Sequence, residues 1–196
     1  RFSARLLAGS TLCALIGTSI PAIAADVTYE RLLNASAEPQ NWLMRMGNYS
    51  NWNHSTLSEI NRNNVANLKP KFMFSLGDAA RPAKAAQYFT PIVEDGFMYV
   101  GNQYHQYWKL DVRDGKPKVV WKHDAKVSAG GKSGHAITLL GNNMYFNVGP
   151  ENANPRLVAL DKNSGEVVFE ASTNIPEAPN QGSVSAPLAV KDKIII

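Results

Sequence analysis

The chain has 196 residues, of which 44% are hydrophobic and 18% charged, and this balance is typical of a globular protein of about one domain rather than of a disordered one. The net charge of +4 falls to +2 without Arg1 and Arg5, and lysine and arginine form no clustered stripe, so no nucleic-acid partner is expected. A single cysteine excludes a disulfide framework within the chain and a cysteine-rich metal site.

The first 24 residues have the composition of a secretory signal peptide. Two arginines accompany an apolar run at residues 6–20, and Ala22-Ile23-Ala24 supplies the small residues of a cleavage site. The run of 15 residues is too short for a membrane-spanning helix, which needs about 20, and no later segment is long and apolar enough. We predict that residues 1–24 are removed near Ala24, that Cys13 leaves with them, and that the mature chain is periplasmic without a transmembrane segment.

Residues 25–80 are predicted to form a leader that packs on the body of the protein. A short helix is expected around residues 31–33, and Trp42, Tyr49 and Trp52 are expected to be packing aromatics. The leader is followed at residue 81 by a segment with a different, repetitive pattern.

Residues 81–196 repeat this pattern with a period of about 50 residues. Asp111 and Asp161, for example, are 50 residues apart. A period of this size is typical of propellers and other repeat arrays. A third unit begins near Ala186 and its strand pattern continues to Ile196, so we expect the chain to be the N-terminal fragment of a longer protein.

Each unit is predicted to contain four short antiparallel strands. A tight turn, Asp95-Gly96 or Gly141-Asn142, joins the first two strands where positive φ is needed, and a second turn such as Ser164-Gly165 precedes the fourth. An aromatic ring, Trp121 or Phe169, closes the fourth strand. Four such strands make a propeller blade, and a blade must stack on others to bury both of its faces. We therefore predict an all-β fold, an incomplete β-propeller of four-stranded blades.

Residues 157–169, Leu-Val-Ala-Leu-Asp-Lys-Asn-Ser-Gly-Glu-Val-Val-Phe, resemble the blade motif of dehydrogenases that use pyrroloquinoline quinone (PQQ). In that family the ring that closes the fourth strand docks against the next blade. The leader is similar to the N-terminal segment of secreted PQQ-dependent alcohol dehydrogenases of the methanol/ethanol type over residues 27–35, 38–43, 47–51, 55–62 and 64–69. The resemblance runs from about Val27 to Ile196, and it implies an eight-bladed propeller in the full-length family, of which residues 81–196 are the first blades.

This resemblance implies an exported quinoprotein that oxidises an alcohol-like substrate. In the family, PQQ lies in the centre of the propeller beside a Ca²⁺ or lanthanide ion, the quinone accepts a hydride, and an aspartate takes the hydroxyl proton. The metal ligands and the catalytic aspartate lie downstream of Ile196 in the family pattern, so no catalytic residue and no metal ligand is assigned in this chain. A c-type cytochrome or the quinone pool is the implied electron acceptor.

Four residues are candidates for contact with PQQ. Tyr88 stands where the family has a glutamate, two residues before the Thr-Pro that opens the first blade, and His135 stands at the position of an arginine that binds the quinone oxygens. Ser183 and Ser185 flank the position of a family threonine, which is a valine in this chain. We predict that His135 faces the cofactor cavity in place of the arginine.

These departures from the family pattern leave a second function open. The vicinal cysteine pair of the family is also missing, and Ala129-Gly130 stands near its position. A propeller without the cysteine pair, the glutamate and the arginine could be a non-catalytic scaffold or binding protein of the cell envelope. The leader favours the enzyme, because scaffold propellers do not carry it as far as the resemblance extends.

The other three histidines, His54, His105 and His123, are predicted to be solvated loop residues. Polar residues surround them in the sequence, and no two are spaced i, i+4 as on a metal-binding helix. They are therefore assigned to neither a metal nor the cofactor.

Overall fold

The computed structural model of the chain describes residues 25–77, 89–127, 136–149, 155–174, 176–177 and 185–196. The predicted signal peptide at residues 1–24 lies outside these ranges. Within them are one α-helix, α1 (Tyr29–Leu33), two short 3-10 helices at Ala35–Ala37 and Val65–Asn67, and ten strands. The strands are β1 (Ile92–Glu94), β2 (Phe97–Gly101), β3 (Gln106–Asp111), β4 (Lys118–Asp124), β5 (Thr138–Leu140), β6 (Asn143–Val148), β7 (Arg156–Asp161), β8 (Val167–Ser172), β9 (Leu188–Val190) and β10 (Lys193–Ile195). None of the described helices is long and apolar enough to cross a membrane.

The strands form two antiparallel four-stranded sheets and one hairpin. The first sheet has the order β1-β2-β3-β4, the second has the order β5-β6-β7-β8, and β9 pairs with β10. Consecutive strands are neighbours throughout, which is the arrangement of a propeller blade. The prediction of an all-β fold built from four-stranded antiparallel units is confirmed.

The first turn of each unit lies where the sequence predicts it. Asp95 and Gly96, between β1 and β2, have φ angles of 51° and 79°, and Gly141, between β5 and β6, has a φ of 60°. Lys191 occupies the same place between β9 and β10 with a φ of 55°. Most side chains avoid this left-handed region, so the three turns depend on glycine or on a residue held there by the hairpin.

The two four-stranded sheets share an irregularity at equivalent positions. The register between β3 and β4 shifts between Lys109 and Leu110, and the register between β7 and β8 shifts between Ala159 and Leu160. These positions are 50 residues apart, which is the period of the repeat. A shift of this kind bends the strand and changes where its side chains point, so the fourth strand of each sheet is redirected in the same way.

The main hydrophobic core lies where the first sheet packs against the second. The ring centroids of Tyr107 in β3 and Phe146 in β6 are 4.1 Å apart. Tyr99, Tyr107, Phe146 and Val158 are all buried in this core. Each sheet therefore buries one face against its neighbour, as stacked blades must.

Trp121, in the middle of β4 and next to the register shift, links the first sheet to the second. Its Nε1 donates a hydrogen bond of 3.1 Å to the carbonyl of Lys162, in the turn between β7 and β8. The indole also covers Gly165, where an added Cβ atom would lie 2.7 Å from its Cδ2 atom, and Gly165 has a φ of 75°. Both the turn and the close approach require glycine here. The equivalent ring of the second sheet, Phe169, is 41% exposed.

The first part of the leader is bonded to both sheets. α1 buries Leu32 in the main core. Val27 forms a β-bridge with Gly141 of the second sheet, and Trp42 forms one with Val93 in β1. Trp42 thereby occupies the edge of β1 that no other strand of the first sheet covers.

The second part of the leader is exposed until it reaches the first sheet. Trp52, expected to pack, is 73% exposed, so that expectation is wrong. Residues 72–77 belong to no strand, but their side chains alternate between half-buried and exposed positions. Phe74 contacts Trp108 of β3 with ring centroids 6.2 Å apart, and Leu76 packs beside it. Tyr107 of β3 faces the second sheet, and its neighbour Trp108 points to the opposite face because side chains alternate along a strand. Residues 72–77 therefore cover the face of the first sheet that points away from the second.

Candidate functional site

The four predicted cofactor residues all precede the first strand of a unit. Tyr88 comes before β1, His135 before β5, and Ser183 and Ser185 before β9. Since neighbouring strands are antiparallel, the start of a first strand lies at the same sheet edge as the end of the fourth strand. We call this the leading edge. In the described residues it comprises 89–92, 102–106, 124–127, 136–138, 147–149, 155–156, 172–174 and 185–188.

Hydrogen bonds join the leading edges of successive units. Arg156 donates from a guanidinium nitrogen to the Ala125 carbonyl at 3.0 Å, which connects the second sheet to the first. Asn147 donates from Nδ2 to the Ser185 carbonyl at 2.9 Å, which connects the second sheet to the segment before β9. The structure therefore places the leading edges of the three units on one side of the stack.

Of the four predicted cofactor residues, Ser185 lies in the part of the chain that the structure describes. It is exposed, and its backbone is held by Asn147. Tyr88, His135 and Ser183 lie outside the described residues, so their position remains a prediction. No group of three or more His, Cys, Asp or Glu residues that could hold a metal ion occurs within the described ranges.

The leading edge of the first sheet contains a buried histidine that the sequence did not predict. His105 is fully buried, and its Nδ1 lies 3.2 Å from the hydroxyl oxygen of Tyr107. His123 is half-buried, its ring lies 6.0 Å from that of Phe146, and burial lowers its pKa below the usual value. His54 is exposed, so the expectation of three solvated histidines is wrong for two of them. His105 precedes β3 with a φ of 54°, so strand alternation does not place it, and no local sequence signal marks it as buried.

A buried ion pair lies at the opposite edge of the sheets, where the leader meets both of them. Lys162 and Glu94 are fully buried, and Lys162 Nζ lies 2.5 Å from Glu94 Oε1. Lys162 also donates to the Ala25 carbonyl, and the Tyr99 hydroxyl donates to Glu94 Oε2 at 3.1 Å. Such hydrogen bonds are needed to offset the hydration that buried charges lose. No sequence motif marks this pair, and the sequence did not predict it.

Arg31 of α1 connects this ion pair to two further carboxylates. Its guanidinium nitrogens lie 2.8 Å from Glu38 Oε2, 2.7 Å from Asp95 Oδ1 and 3.4 Å from Glu94 Oε1. Hydrogen bonds from Arg31 lower the pKa of Glu38. Burial alone would raise the pKa of Asp95, but hydrogen bonds from Arg31 and Asn41 outweigh burial and lower that pKa. The arrangement clamps the leader to the first sheet rather than forming a reactive site.

A cavity of about 260 Å³ separates the leader from the segment that leads into β9. Its described walls include Met44 and Arg45 of the leader and Pro187 and Leu188 on the opposite side. Arg45 is half-buried, and its Nε atom is shielded from solvent without a hydrogen-bond partner. Ser185 is not one of these described wall residues, but the next residue in the sequence, Ala186, is.

Comparison with known proteins identifies the family of this fold. The family model described as the β-propeller domain of PQQ glucose/ethanol/alcohol dehydrogenases matches residues 42–195. The chain belongs to this family. The resemblance that the repeats and the leader indicate is thereby confirmed.

Two relatives show how much of a PQQ dehydrogenase this chain represents. The dehydrogenase subunit of alcohol dehydrogenase (quinone) from Gluconacetobacter polyoxogenes is 32% identical over 209 aligned positions, which cover 100% of this chain and 27% of that protein. Subunit 1 of methanol dehydrogenase (cytochrome c) from Methylobacterium organophilum is 28% identical over 189 positions, which cover 90% of this chain and 29% of the relative. The chain thus spans less than a third of the length of these PQQ dehydrogenases.

A solved structure shows the same fold. The chain superposes on a europium-containing methanol dehydrogenase with a TM-score of 0.68 at 23% identity, over 84% of this chain and 28% of the other. In the PQQ propeller, β1–β4 and β5–β8 are therefore two blades, and β9 and β10 begin a third. The prediction of an incomplete β-propeller is confirmed.

Lys109 is a buried lysine between the two blades of this PQQ propeller. It is 2% exposed, and its Nζ donates to the Lys162 carbonyl at 3.1 Å and to Asn163 Oδ1 at 3.2 Å. The same nitrogen lies 4.3 Å from the centroid of the Phe97 ring. Burial lowers the pKa of Lys109 from 10.5 to about 8, although the nearby Glu94 opposes that shift.

Lys109 should make the free energy of unfolding rise as the pH is raised from 8 to 10. In this range Lys109 loses its proton in the folded protein but keeps it in the unfolded chain, where a lysine has a pKa of about 10.4. The unfolded state then binds more protons, so stability rises with pH, whereas below pH 8 both states are protonated and the contribution is constant. We expect wild type to gain roughly 2 kcal/mol relative to Lys109→Met over this range. Urea unfolding at pH 7.5, 8.5 and 9.5 measures the difference.

The pH range and a control variant separate the effect of Lys109 from that of other titrating groups. Burial raises the pKa of Tyr99 and Tyr107, so these tyrosines ionise in the unfolded chain alone above about pH 10, and the series stops below that value. Lys122→Met removes an exposed lysine from the adjacent strand and should keep the pH dependence of wild type. Parallel pH curves for wild type and Lys109→Met would contradict the prediction.

Proposed function

We propose that this chain is the N-terminal part of an exported PQQ-dependent dehydrogenase that oxidises an alcohol-like substrate. The observation that carries the proposal is the family match over residues 42–195. The names of the two relatives, alcohol dehydrogenase (quinone) and methanol dehydrogenase (cytochrome c), support an alcohol as the substrate class. Because the chain spans less than a third of those proteins, the activity belongs to the whole protein of which it is part.

The same names support two kinds of electron acceptor. Electrons from the alcohol pass to a c-type cytochrome or to the quinone pool, as the relatives named for cytochrome c and for quinone suggest. The predicted signal peptide at residues 1–24 supports a periplasmic location, where an alcohol and such an acceptor can both reach the protein.

The leading edge supplies the residues of this chain that hold PQQ. Tyr88, His135, Ser183 and Ser185 all carry side chains that donate hydrogen bonds, and this chemistry fits a ligand whose quinone and carboxylate oxygens accept them. Ser185 stands at the described leading edge with its backbone fixed by the second blade. When bound, PQQ would supply the acceptor for the hydride of the alcohol carbon, and a Ca²⁺ or lanthanide ion, whose ligands come from later parts of the family's sequence, would act as a Lewis acid. The europium in the similar methanol dehydrogenase supports the lanthanide choice.

Alcohol-dependent dye reduction by the full-length gene product tests this function. The protein is purified from the periplasm, loaded with PQQ and with either Ca²⁺ or La³⁺, and assayed with a series of primary alcohols. Turnover is expected when PQQ and one of the metals are both present. A folded protein that neither binds PQQ nor turns over any alcohol is instead the non-catalytic envelope scaffold. The 196-residue chain alone should be inactive, because the site needs groups from blades that it does not contain.

The proposed role of His135 makes the reaction depend on pH. Arginine is a permanent cation with five donors, whereas a neutral imidazole has one donor. Stabilisation of negative charge on the reduced quinone should therefore depend on the protonation of His135, which occurs near neutral pH because the ordinary pKa of histidine is about 6.5. In the full-length enzyme, His135→Gln should lower kcat about tenfold or more at pH 6 and remove an inflection near pH 6–7. The pH–rate profile of kcat measures both effects.

His135→Arg is the matched variant for this test. It restores the residue of the family pattern and should keep turnover high above pH 8, where His135 has lost its proton. Wild-type kinetics for His135→Gln across the whole range would show that His135 is an ordinary loop residue.

A further inference from the structure

The cavity between the leader and the third unit has walls of two chemical kinds. Met44, Met46 and Leu188 contribute apolar surface, whereas Asn48 and Arg45 contribute polar groups. The cavity has a volume of about 260 Å³, whereas a cavity of roughly 150 Å³ accommodates benzene with its six non-hydrogen atoms. At the same volume per atom, this cavity would hold about ten non-hydrogen atoms. Its volume and its mixed walls are typical of a small-molecule site.

Arg45 sets the charge of this cavity. Of the described wall residues it is the one charged side chain, and no aspartate or glutamate stands with it. Its Nε atom is buried without a hydrogen-bond partner. Buried polar groups normally have such partners, and a guanidinium keeps its charge at any ordinary pH. Because Nε is itself closed to solvent, what the cavity presents is the positive charge of the guanidinium, which has no carboxylate beside it among the described walls.

A carboxylate is the ligand group that matches this wall. Guanidinium groups bind carboxylates with paired, charge-assisted hydrogen bonds. Asn48 adds an amide group, whose oxygen already accepts a hydrogen bond from the Ser50 amide at 2.9 Å, which leaves its nitrogen as the donor. The apolar walls at Met44, Met46 and Leu188 suit a hydrocarbon chain rather than a second polar group.

We propose that this cavity binds an aliphatic carboxylate of about eight carbons, with its carboxylate on Arg45 and its chain along the apolar walls. Octanoate has ten non-hydrogen atoms and so matches the volume. Thr138 and Ala186 of the cavity walls belong to the leading edge, so this site adjoins Ser185, whose own side chain is not among the described wall residues.

Calorimetric titration of the whole protein with sodium octanoate tests the proposal without use of its alcohol-oxidising activity. We expect one site with a dissociation constant below about 1 mM, which is reasonable for a ligand of this size. Octanamide has the same shape without the charge and should bind at least tenfold more weakly. Octanamide and octanoate of equal affinity would show an apolar site that does not use Arg45, and no octanoate binding would show no carboxylate site. Either result overturns the proposal.

Matched variants identify the residue responsible. Arg45→Met keeps an unbranched apolar side chain but removes the guanidinium, and it should weaken octanoate binding at least tenfold. Arg62→Met, at an exposed arginine elsewhere in the leader, should bind as wild type does. If Arg45→Met fails to fold, Ala186→Leu serves instead, because it fills the cavity from the wall opposite the leader and should abolish octanoate binding while Arg45 is present. Unchanged octanoate affinity in Arg45→Met, or in Ala186→Leu, overturns the proposal.

Discussion

Replacing Lys162 with methionine should lower the free energy of unfolding by about 3–5 kcal/mol. Lys162 and Glu94 are fully buried, and loss of the ammonium group deprives the Glu94 carboxylate of a partner 2.5 Å away. The Ala25 carbonyl loses its hydrogen bond from Lys162 as well. Arg31 compensates only in part, because its guanidinium lies farther from Glu94, at 3.4 Å. Urea unfolding of the whole protein at pH 7 measures the loss.

A double variant shows whether the unpaired charge is the cause. Lys162→Met combined with Glu94→Gln removes both charges, while glutamine still accepts the hydrogen bond from Tyr99. Because no ion is then left without a partner, the double variant should be more stable than Lys162→Met alone. Lys193→Met, at a lysine whose pairing with Asp192 is exposed, should change stability by less than about 0.5 kcal/mol. A double variant no more stable than Lys162→Met would refute this explanation.

Replacing Trp121 with alanine should lower the free energy of unfolding by a similar amount, about 3–5 kcal/mol. Trp121 is 8% exposed, and its indole fills the space between the first blade and the turn at Gly165. Alanine would leave a cavity at this junction and remove the donor to the Lys162 carbonyl. Thermal and urea unfolding of the whole protein, compared with wild type, measures the effect.

Two variants separate the ring from its hydrogen bond. Trp121→Phe keeps an aromatic ring but has no donor, so it should lose about 1–3 kcal/mol, between wild type and Trp121→Ala. Gly165→Ala tests the same contact from the side of the turn. Its Cβ would lie 2.7 Å from the indole, and its φ of 75° disfavours alanine, so this variant should also destabilise the protein. Trp52→Ala, at a 73% exposed tryptophan, is the control and should be nearly neutral. Equal losses for Trp121→Ala and Trp52→Ala would rule out a role for Trp121 in blade packing.

The repeat could be predicted because each blade is specified by local chemistry. Asp95-Gly96 and Gly141 mark their turns through the backbone angles that they allow, and these angles are present in the structure. Trp121 was expected from the family resemblance to dock on the next blade, and its hydrogen bond to Lys162 shows that it does. Turn residues and strand ends lie within a few positions of one another, so a linear pattern is enough to find them.

The buried charges could not be predicted, because their partners are distant in the chain. Lys162 and Glu94 are separated by 68 residues, and each stands beside a turn where a charged residue normally faces solvent. His105 was missed because its loop was expected to be solvated, whereas the loop is buried and the His105 ring contacts the Tyr107 hydroxyl. Long-range packing decides both cases, and no local pattern encodes it.

The candidate cofactor site could be predicted only from the family resemblance. Tyr88, His135, Ser183 and Ser185 have no spacing that would identify a site by itself, and only Ser185 lies among the described residues. What the structure adds is the common leading edge, since Ser185 and the ends of both blades are joined there by hydrogen bonds such as that from Asn147. The cavity at Arg45 had no counterpart in the sequence pattern, because its walls come from segments about 140 residues apart.

The contacts of the leader also set the order in which this protein can fold. The Tyr49 hydroxyl donates to the Ala189 carbonyl across 140 residues, and Ala25 accepts from Lys162 across 137. The part of the chain that is synthesised first can pair with Val93 as soon as β1 forms, but it completes its contacts only after the second blade and β9 have formed. Closing loops of this length is entropically costly and slow compared with forming the hairpins of a blade. Until then, the groups of the leader that these contacts bury remain exposed to solvent.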